Sequence, residues 1–135
     1  MDKIERIVKD DIVYAIIIRS DYIPKKTEFI SEKEHLQQVG LIVYEAGGQI
    51  QPHLHKSFKR TIEKTTETLI VKEGKLEYQI YNNNESLIST GILNKGDIIS
   101  LITGGHGFEI IEDTILIEVK QGPFVTSEQD KKRFK

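Results

Sequence analysis

An all-β sandwich or barrel is the fold class this sequence predicts, and three observations predict it. β-branched residues recur in short runs, Gly, Asn and Asp punctuate those runs, and no stretch keeps a sustained helical period. About ten short strands at such spacing suit two packed sheets or a closed barrel.

The elements follow in chain order. The run from Ile12 to Ile18 is apolar on both alternating faces, which predicts a strand covered on both sides, by a core and by another layer or subunit. Val39 to Glu45 reads as a strand, Ala46-Gly47-Gly48 as a turn and Gln49 to His55 as a further extended segment. Lys56 to Thr66 is polar and rich in Lys, Arg and Thr, the composition of an inserted loop that can border a site. Thr68 to Lys72 and Leu76 to Tyr81 read as a hairpin turning at Glu73-Gly74-Lys75. Asn82 to Glu85 is a polar turn into a strand from Ser86 to Leu93, and Asn94-Lys95-Gly96-Asp97 turns into Ile98 to Leu101. Gly107 to Ile111 and Thr114 to Val119 are the last two expected strands, joined through Glu112-Asp113. From Gly122 onward the chain is charged apart from Phe124, Val125 and Phe134, which fits a tail or a short helix docked by those residues.

A chain of 135 residues fits one domain, and a domain of this size buries roughly two thirds of the surface its unfolded chain exposes. With 38% hydrophobic and 30% charged residues it has the balance of a folded chain and not of a disordered one. A net charge of −2 and interspersed acids and bases argue against a nucleic-acid partner, since the one basic cluster, Lys131, Lys132, Arg133 and Lys135, is small. With no cysteine, disulfides and thiolate ligands are excluded, so a metal would be held by nitrogen and oxygen. Ile12 to Ile18 is too short to span a bilayer, and the acids among the first residues do not suit a secretory leader. No membrane partner is expected, and the cytoplasm is the expected location.

Four residues carry the candidate chemistry. In His53-Leu54-His55 the two imidazoles stand at i and i+2, so on a strand they share one face roughly 6.5–7 Å apart and can converge on one ion. Glu67, just ahead of an apolar strand, supplies an anionic oxygen. His106 stands between Gly105 and Gly107, which leave its ring little steric competition. Arg60, Lys59 and Lys64 in the intervening loop are candidates for recognising phosphate or carboxylate. Tyr78 is a further candidate contact, although it shares a strand face with Leu76 and Ile80, which favours a place in the core. Glu109 is three residues from His106 and would face the other side of a strand.

Taken together, these residues resemble the cupin family. Gly47, His53-Leu54-His55, Glu67 and Gly74 are similar to the first cupin motif, although eleven residues separate His55 from Glu67 where the family has a shorter gap, which makes Glu63 the fallback ligand. Gly96 and the segment Ile102-Thr103-Gly104-Gly105-His106 are similar to the second motif, with Ile102 where the family carries proline. The resemblance covers about Val39 to Val119. It implies a jelly-roll barrel, or double-stranded β-helix, in which His53, His55, Glu67 and His106 hold one divalent transition metal ion, leaving zinc, iron, manganese and nickel open. A homodimer is implied as well, for which the doubly apolar run from Ile12 to Ile18 offers a surface. More closely, His53-Leu54-His55, the segment from Gly104 to Glu109 and the ending Glu118 to Phe124 resemble small cupins of polysaccharide and surface-sugar biosynthesis. The implied function is a metal-dependent enzyme for a small polar metabolite such as an activated or phosphorylated sugar, by isomerisation, epimerisation or oxygen chemistry. The alternative is a non-catalytic module that binds a sugar or another small ligand.

Overall fold

The computed structural model describes residues 2–135. It is all-β, with one curled antiparallel sheet forming a half-barrel. Strands β1 (Ile4–Lys9), β2 (Ile12–Ile18), β5 (Glu67–Tyr81), β6 (Leu87–Asn94), β7 (Ile98–Leu101) and β8 (Gly105–Lys120) make up the sheet. Their order is β1-β2-β7-β5-β6, with β8 along the other side of β5. A separate pair, β3 (Glu28–Phe29) and β4 (Gly40–Leu41), packs beside it, and one helical turn, α1 (Ser127–Asp130), lies near the C-terminus. Among the described residues no helix is long and apolar enough to cross a membrane.

β1 was not expected from the sequence. A bulge between Ile7 and Val8 breaks its period of two, so its apolar residues do not alternate cleanly. Asp10 and Asp11, both at positive φ, form the two-residue connection between Lys9 and Ile12, a geometry whose twist matches that of the flanking strands. β2 is covered on both faces, as its sequence predicts. Ala15 and Ile17 join the main core with Leu69, Val71, Leu76, Ile80, Leu93 and Ile99, while Ile16 and Ile18 pack with Ile30 in a second cluster. β1 and β7 occupy its two edges. Both layers come from the same chain, so the doubly apolar run leaves no face for a second subunit, which corrects the dimer surface expected there.

The expected hairpin at Glu73-Gly74-Lys75 is also corrected. The segments on either side of Gly74 do not pair with each other. They are the two halves of one 15-residue strand, β5, which pairs with β8 along its whole length. The two strands expected at 107–111 and 114–119 are likewise one 16-residue strand. What reads as turn chemistry is a corner. Gly74 adopts φ +102, and a Cβ there would stand 2.3 Å from the carbonyl oxygen of Asp113. The ladder shifts register three times between Val71 and Leu76, as extra residues on one strand and then the other bend both together. The turn from β6 into β7 lies at the same level: Gly96, at φ +88, donates its N–H to the Val71 carbonyl, and Val71 donates to that of Asp97.

Asp97 locks this corner. Its buried carboxylate accepts from Ser20 N (2.8 Å), Asn94 N (2.8 Å) and Arg19 Nη1 (3.0 Å). Arg19 also reaches Glu5 and the Ile92 carbonyl, both at 2.6 Å, and so ties β1, β6 and the turn to β2.

The segment from 42 to 66 differs most from expectation. Only Gly40–Leu41 of the strand expected at 39–45 is present, and 49–55 pairs with no strand. Ile42, Tyr44, Ile50, Leu54 and Phe58 are exposed, because no neighbouring sheet covers their side chains. The turn at Gly47-Gly48 forms, with Gly48 N donating to Glu45 O, and 56–66 is the loop its composition predicts.

Gly74→Ala is expected to cost about 2–4 kcal/mol, from a forced positive φ together with a backbone collision. Urea denaturation followed by circular dichroism measures it. A loss no greater than the ~1 kcal/mol or less of an ordinary surface change would refute the corner account.

Candidate functional site

The bend brings together two residues that the strand pairing holds far apart. Glu67 is paired with Lys120 at one end of the β5–β8 ladder and His106 with Ile80 near the other. On straight strands those ends would be roughly 40 Å apart at about 3.3 Å per residue. Instead His106 Nε2 lies 2.8 Å from Glu67 Oε1. Each side chain is placed by its neighbours. Glu67 opens β5 beside Leu101 of β7, and its side chain is only 11% exposed. His106 follows Gly104, whose φ of +79 turns the chain tightly against the Tyr81 carbonyl, and Ile102 N donates to Tyr14 O just before that turn.

The electrostatics follow from this contact. The hydrogen bond from His106 is the largest influence on Glu67 and outweighs burial, holding its carboxyl at about 2. Glu118, on β8, is pushed up by the neighbouring Glu67, because two adjacent carboxyls do not both ionise freely. Lys120 Nζ stands 3.7 Å from Glu118 and moderates that repulsion. A carboxylate near 2 stays ionised at neutral pH and is a weak proton acceptor. It is suited to orienting an imidazole or holding a cation, whereas His106 is the group suited to moving a proton.

Glu67 and His106 line a cavity of about 610 Å³, with Thr65, Gln79, Tyr81 and the C-terminal residues 130–135 around its rim. The remaining residues expected at the site are placed elsewhere. His53 and His55 adopt the shared-face geometry, their ring centroids 5.3 Å apart, but on the exposed segment, with His53 Nδ1 2.8 Å from the Gln51 carbonyl oxygen. The four expected donors therefore stand as two pairs, and among the described residues no three His, Asp or Glu side chains form a metal-ligating group. Their chemistry, three imidazoles and a carboxylate, suits a divalent transition ion. Their placement supplies two donors at the cavity and two outside it.

Glu63 and Lys64 line a neighbouring cavity, where Lys64 Nζ donates to Thr103 Oγ1 at 3.2 Å. Arg60 stacks on Phe58, with its guanidinium carbon 3.9 Å from the ring centre, and Lys59 is exposed. Neither lines the Glu67 cavity. Tyr78 is 4% exposed, belongs to the main core, against Gly91, and does not line the Glu67 cavity.

Two lining groups were not singled out from the sequence. Gln79 lies over Gly107, where a Cβ would stand 2.9 Å from its Oε1. Tyr81 meets Phe134 edge to face at 5.0 Å. The glycines flanking His106 were the available signal, since each leaves room for one of these contacts.

Comparison with protein-family models, curated proteins and solved structures found no match for this chain.

Acid titration tests the pair. A carboxyl lowered in the folded state contributes stability that is complete above its ordinary value, 4.5, and is lost as pH falls toward about 2. Urea midpoints measured from pH 5 to 2 are expected to fall more steeply for the native chain than for Glu67→Gln. Parallel curves would contradict the contact. Glu118 has the opposite sign: its raised carboxyl disfavours the ionised form, so Glu118→Gln is expected to be neutral or slightly stabilising at pH 7.

Proposed function

We propose that the chain is a cupin-like barrel that binds a small polar metabolite, such as an activated or phosphorylated sugar, in the cavity around Glu67 and His106. The observation that carries this reading is the meeting of an ionised carboxylate and an imidazole at 2.8 Å, inside a cavity whose volume of about 610 Å³ falls in the range of metabolite sites. Structural economy alone does not call for a partly exposed histidine against a largely buried glutamate. Convergent polar groups in a cavity are what a ligand site needs.

The proposal includes one divalent transition ion, held by His53, His55, Glu67 and His106. Support comes from the donor chemistry and from the absence of strand pairing in 49–66, which leaves the histidine-bearing segment without a ladder fixing it away from the cavity. When bound, such an ion polarises a carbonyl or hydroxyl of the substrate. The chain's own contribution is to orient His106 through Glu67 and to present Gln79 and Tyr81 as hydrogen-bonding neighbours. Turnover would be isomerase-like, epimerase-like or oxygenase-like. The separation of the donors into two pairs favours the second reading, a barrel that binds its ligand without turnover.

Elemental analysis of protein purified without added metal decides between them. The enzyme reading expects about one transition metal per chain, with His53→Ala, Glu67→Ala and His106→Ala each losing most of it. A native chain that is metal-free and cannot be loaded leaves only the binding module.

A homodimer belongs to the same proposal, moved from Ile12–Ile18 to β8. Among the described residues β8 pairs with β5 alone, which leaves its other edge open, and Ile110, Ile111, Ile115, Ile117 and Val119 on this strand are 44–56% exposed. A second copy related by a twofold axis offers the same edge in return. Light scattering is expected to report a dimer for the native chain and a monomer for Ile115→Lys/Ile117→Lys. A native monomer at high concentration refutes it.

A further inference from the structure

The basic cluster at the C-terminus, too small to mark a nucleic-acid surface, is placed by the fold at the mouth of the Glu67–His106 cavity. A helix cap orders the segment and two contacts tie it to the barrel. Thr126 caps α1, its Oγ1 accepting from Gln129 N at 3.3 Å while its own N–H donates to the Gln129 side chain. Asp130, at the end of α1, accepts from Thr65 Oγ1 at 2.7 Å, close beside Glu67. Phe134 then packs edge to face on Tyr81 and against Gly105, where a Cβ would meet its ring at 2.8 Å, next to His106. The backbone leaves α1 extended, with φ −119 and ψ 142 at Lys131, so residues 131–133 span from the Glu67 side of the cavity to the His106 side.

The charges on this span are unequally engaged. Lys132, which also lines the cavity, is paired with Glu85 at 2.9 Å, and Lys135 lies over the Tyr81 ring. Arg133 has one neutral partner, Ser127 Oγ at 3.2 Å, and Lys131 has no carboxylate within ion-pair distance among the described residues. Inside the cavity Glu67 is already engaged by His106. Two cations outside any ion pair therefore line the cavity, with Glu118 the nearest carboxylate to feel the charge of Lys131, whereas Lys59 and Arg60, the recognition residues expected from the sequence, do not line it.

We propose that Lys131 and Arg133 are the anion-recognition element of this cavity, so that its ligand carries a phosphate or carboxylate group. The inference deepens the reading of the cavity as a ligand site and rests on it. A guanidinium grips either anion in a bidentate fork and an ammonium adds a point charge, while anchors at Asp130 and Phe134 reduce the ordering cost of closing on a ligand. The polar body of the ligand would then face Glu67, His106 and Gln79.

Calorimetric titration of the full chain with inorganic phosphate, and separately with acetate, at low salt tests the proposal. Native protein is expected to bind phosphate saturably, with Kd on the order of millimolar. Lys131→Gln/Arg133→Gln is expected to weaken binding about tenfold or more, and the charge-preserving Lys131→Arg/Arg133→Lys to retain most of it. Lys59→Gln/Arg60→Gln should leave it unchanged. Phe134→Ala keeps every charge but releases the anchor, and is expected to weaken binding several-fold. Tighter phosphate than acetate identifies a phosphorylated ligand, and the reverse a carboxylated one. Native protein that binds neither anion, or a glutamine double variant that binds as tightly as native, overturns the proposal. Loss on His106→Ala alone, with the glutamine double variant unaffected, also overturns it while leaving the cavity itself as the ligand site. If instead Lys131 and Arg133 bind the anion and the cavity reading fails, anion binding will depend on those two residues but be indifferent to both Glu67→Gln and His106→Ala.

Discussion

The close approach of Gly74 to Asp113 and Thr114 is the constraint on which the rest depends. Two strands of 15 and 16 residues can stay hydrogen-bonded along their length and still fold over only if both lose register at the same place. A residue without a side chain must sit where the backbones cross. The corner then sets the shape of the half-barrel, brings Leu69 and Val71 into one core with Leu76 and Ile80, and swings the two ends of the ladder toward each other. The site is a product of curvature, and none of its chemistry comes from residues adjacent in sequence.

Much of the fold was legible beforehand because it rests on local rules. The strand over 12–18, the turns at 82–85 and 94–97, and the strands that follow them are short, alternating or doubly apolar, and bounded by residues that tolerate positive φ. β5 and β8 were misread in one consistent way. Glu73-Gly74 and Glu112-Asp113 have turn composition, and the same composition serves a tight hairpin and a barrel corner. Which one forms depends on the partner strand alongside, and no window of local sequence contains that partner.

The site was partly legible for a related reason. Glu67 and His106 could be picked out by residue type and flanking glycines, and they do meet. The spacing of His53 and His55 also translated into the expected shared face, yet spacing fixes only where two side chains lie relative to each other. Where the whole segment lies is decided by tertiary contacts that a polar, lysine-rich stretch does not specify. Phe134 could be marked as a docking residue by its isolation in a charged tail, but its partner Tyr81 could not, because the contact joins residues 81 and 134 and is held by an aromatic edge.

The pairing order of the strands also bears on how the chain reaches this state. β1 with β2, and β5 with β6, close over turns of a few residues and can form early and locally. β8 must find a partner laid down earlier in the chain, and β2 and β7 close a longer loop still, from Ile18 to Ile98; of these two non-local pairings it is β8 that carries His106 with it. A molecule with its hairpins formed but β8 undocked would hold most of its secondary structure and have no Glu67–His106 pair. The site is thus a reporter of β8 docking, and local hairpins alone do not build it.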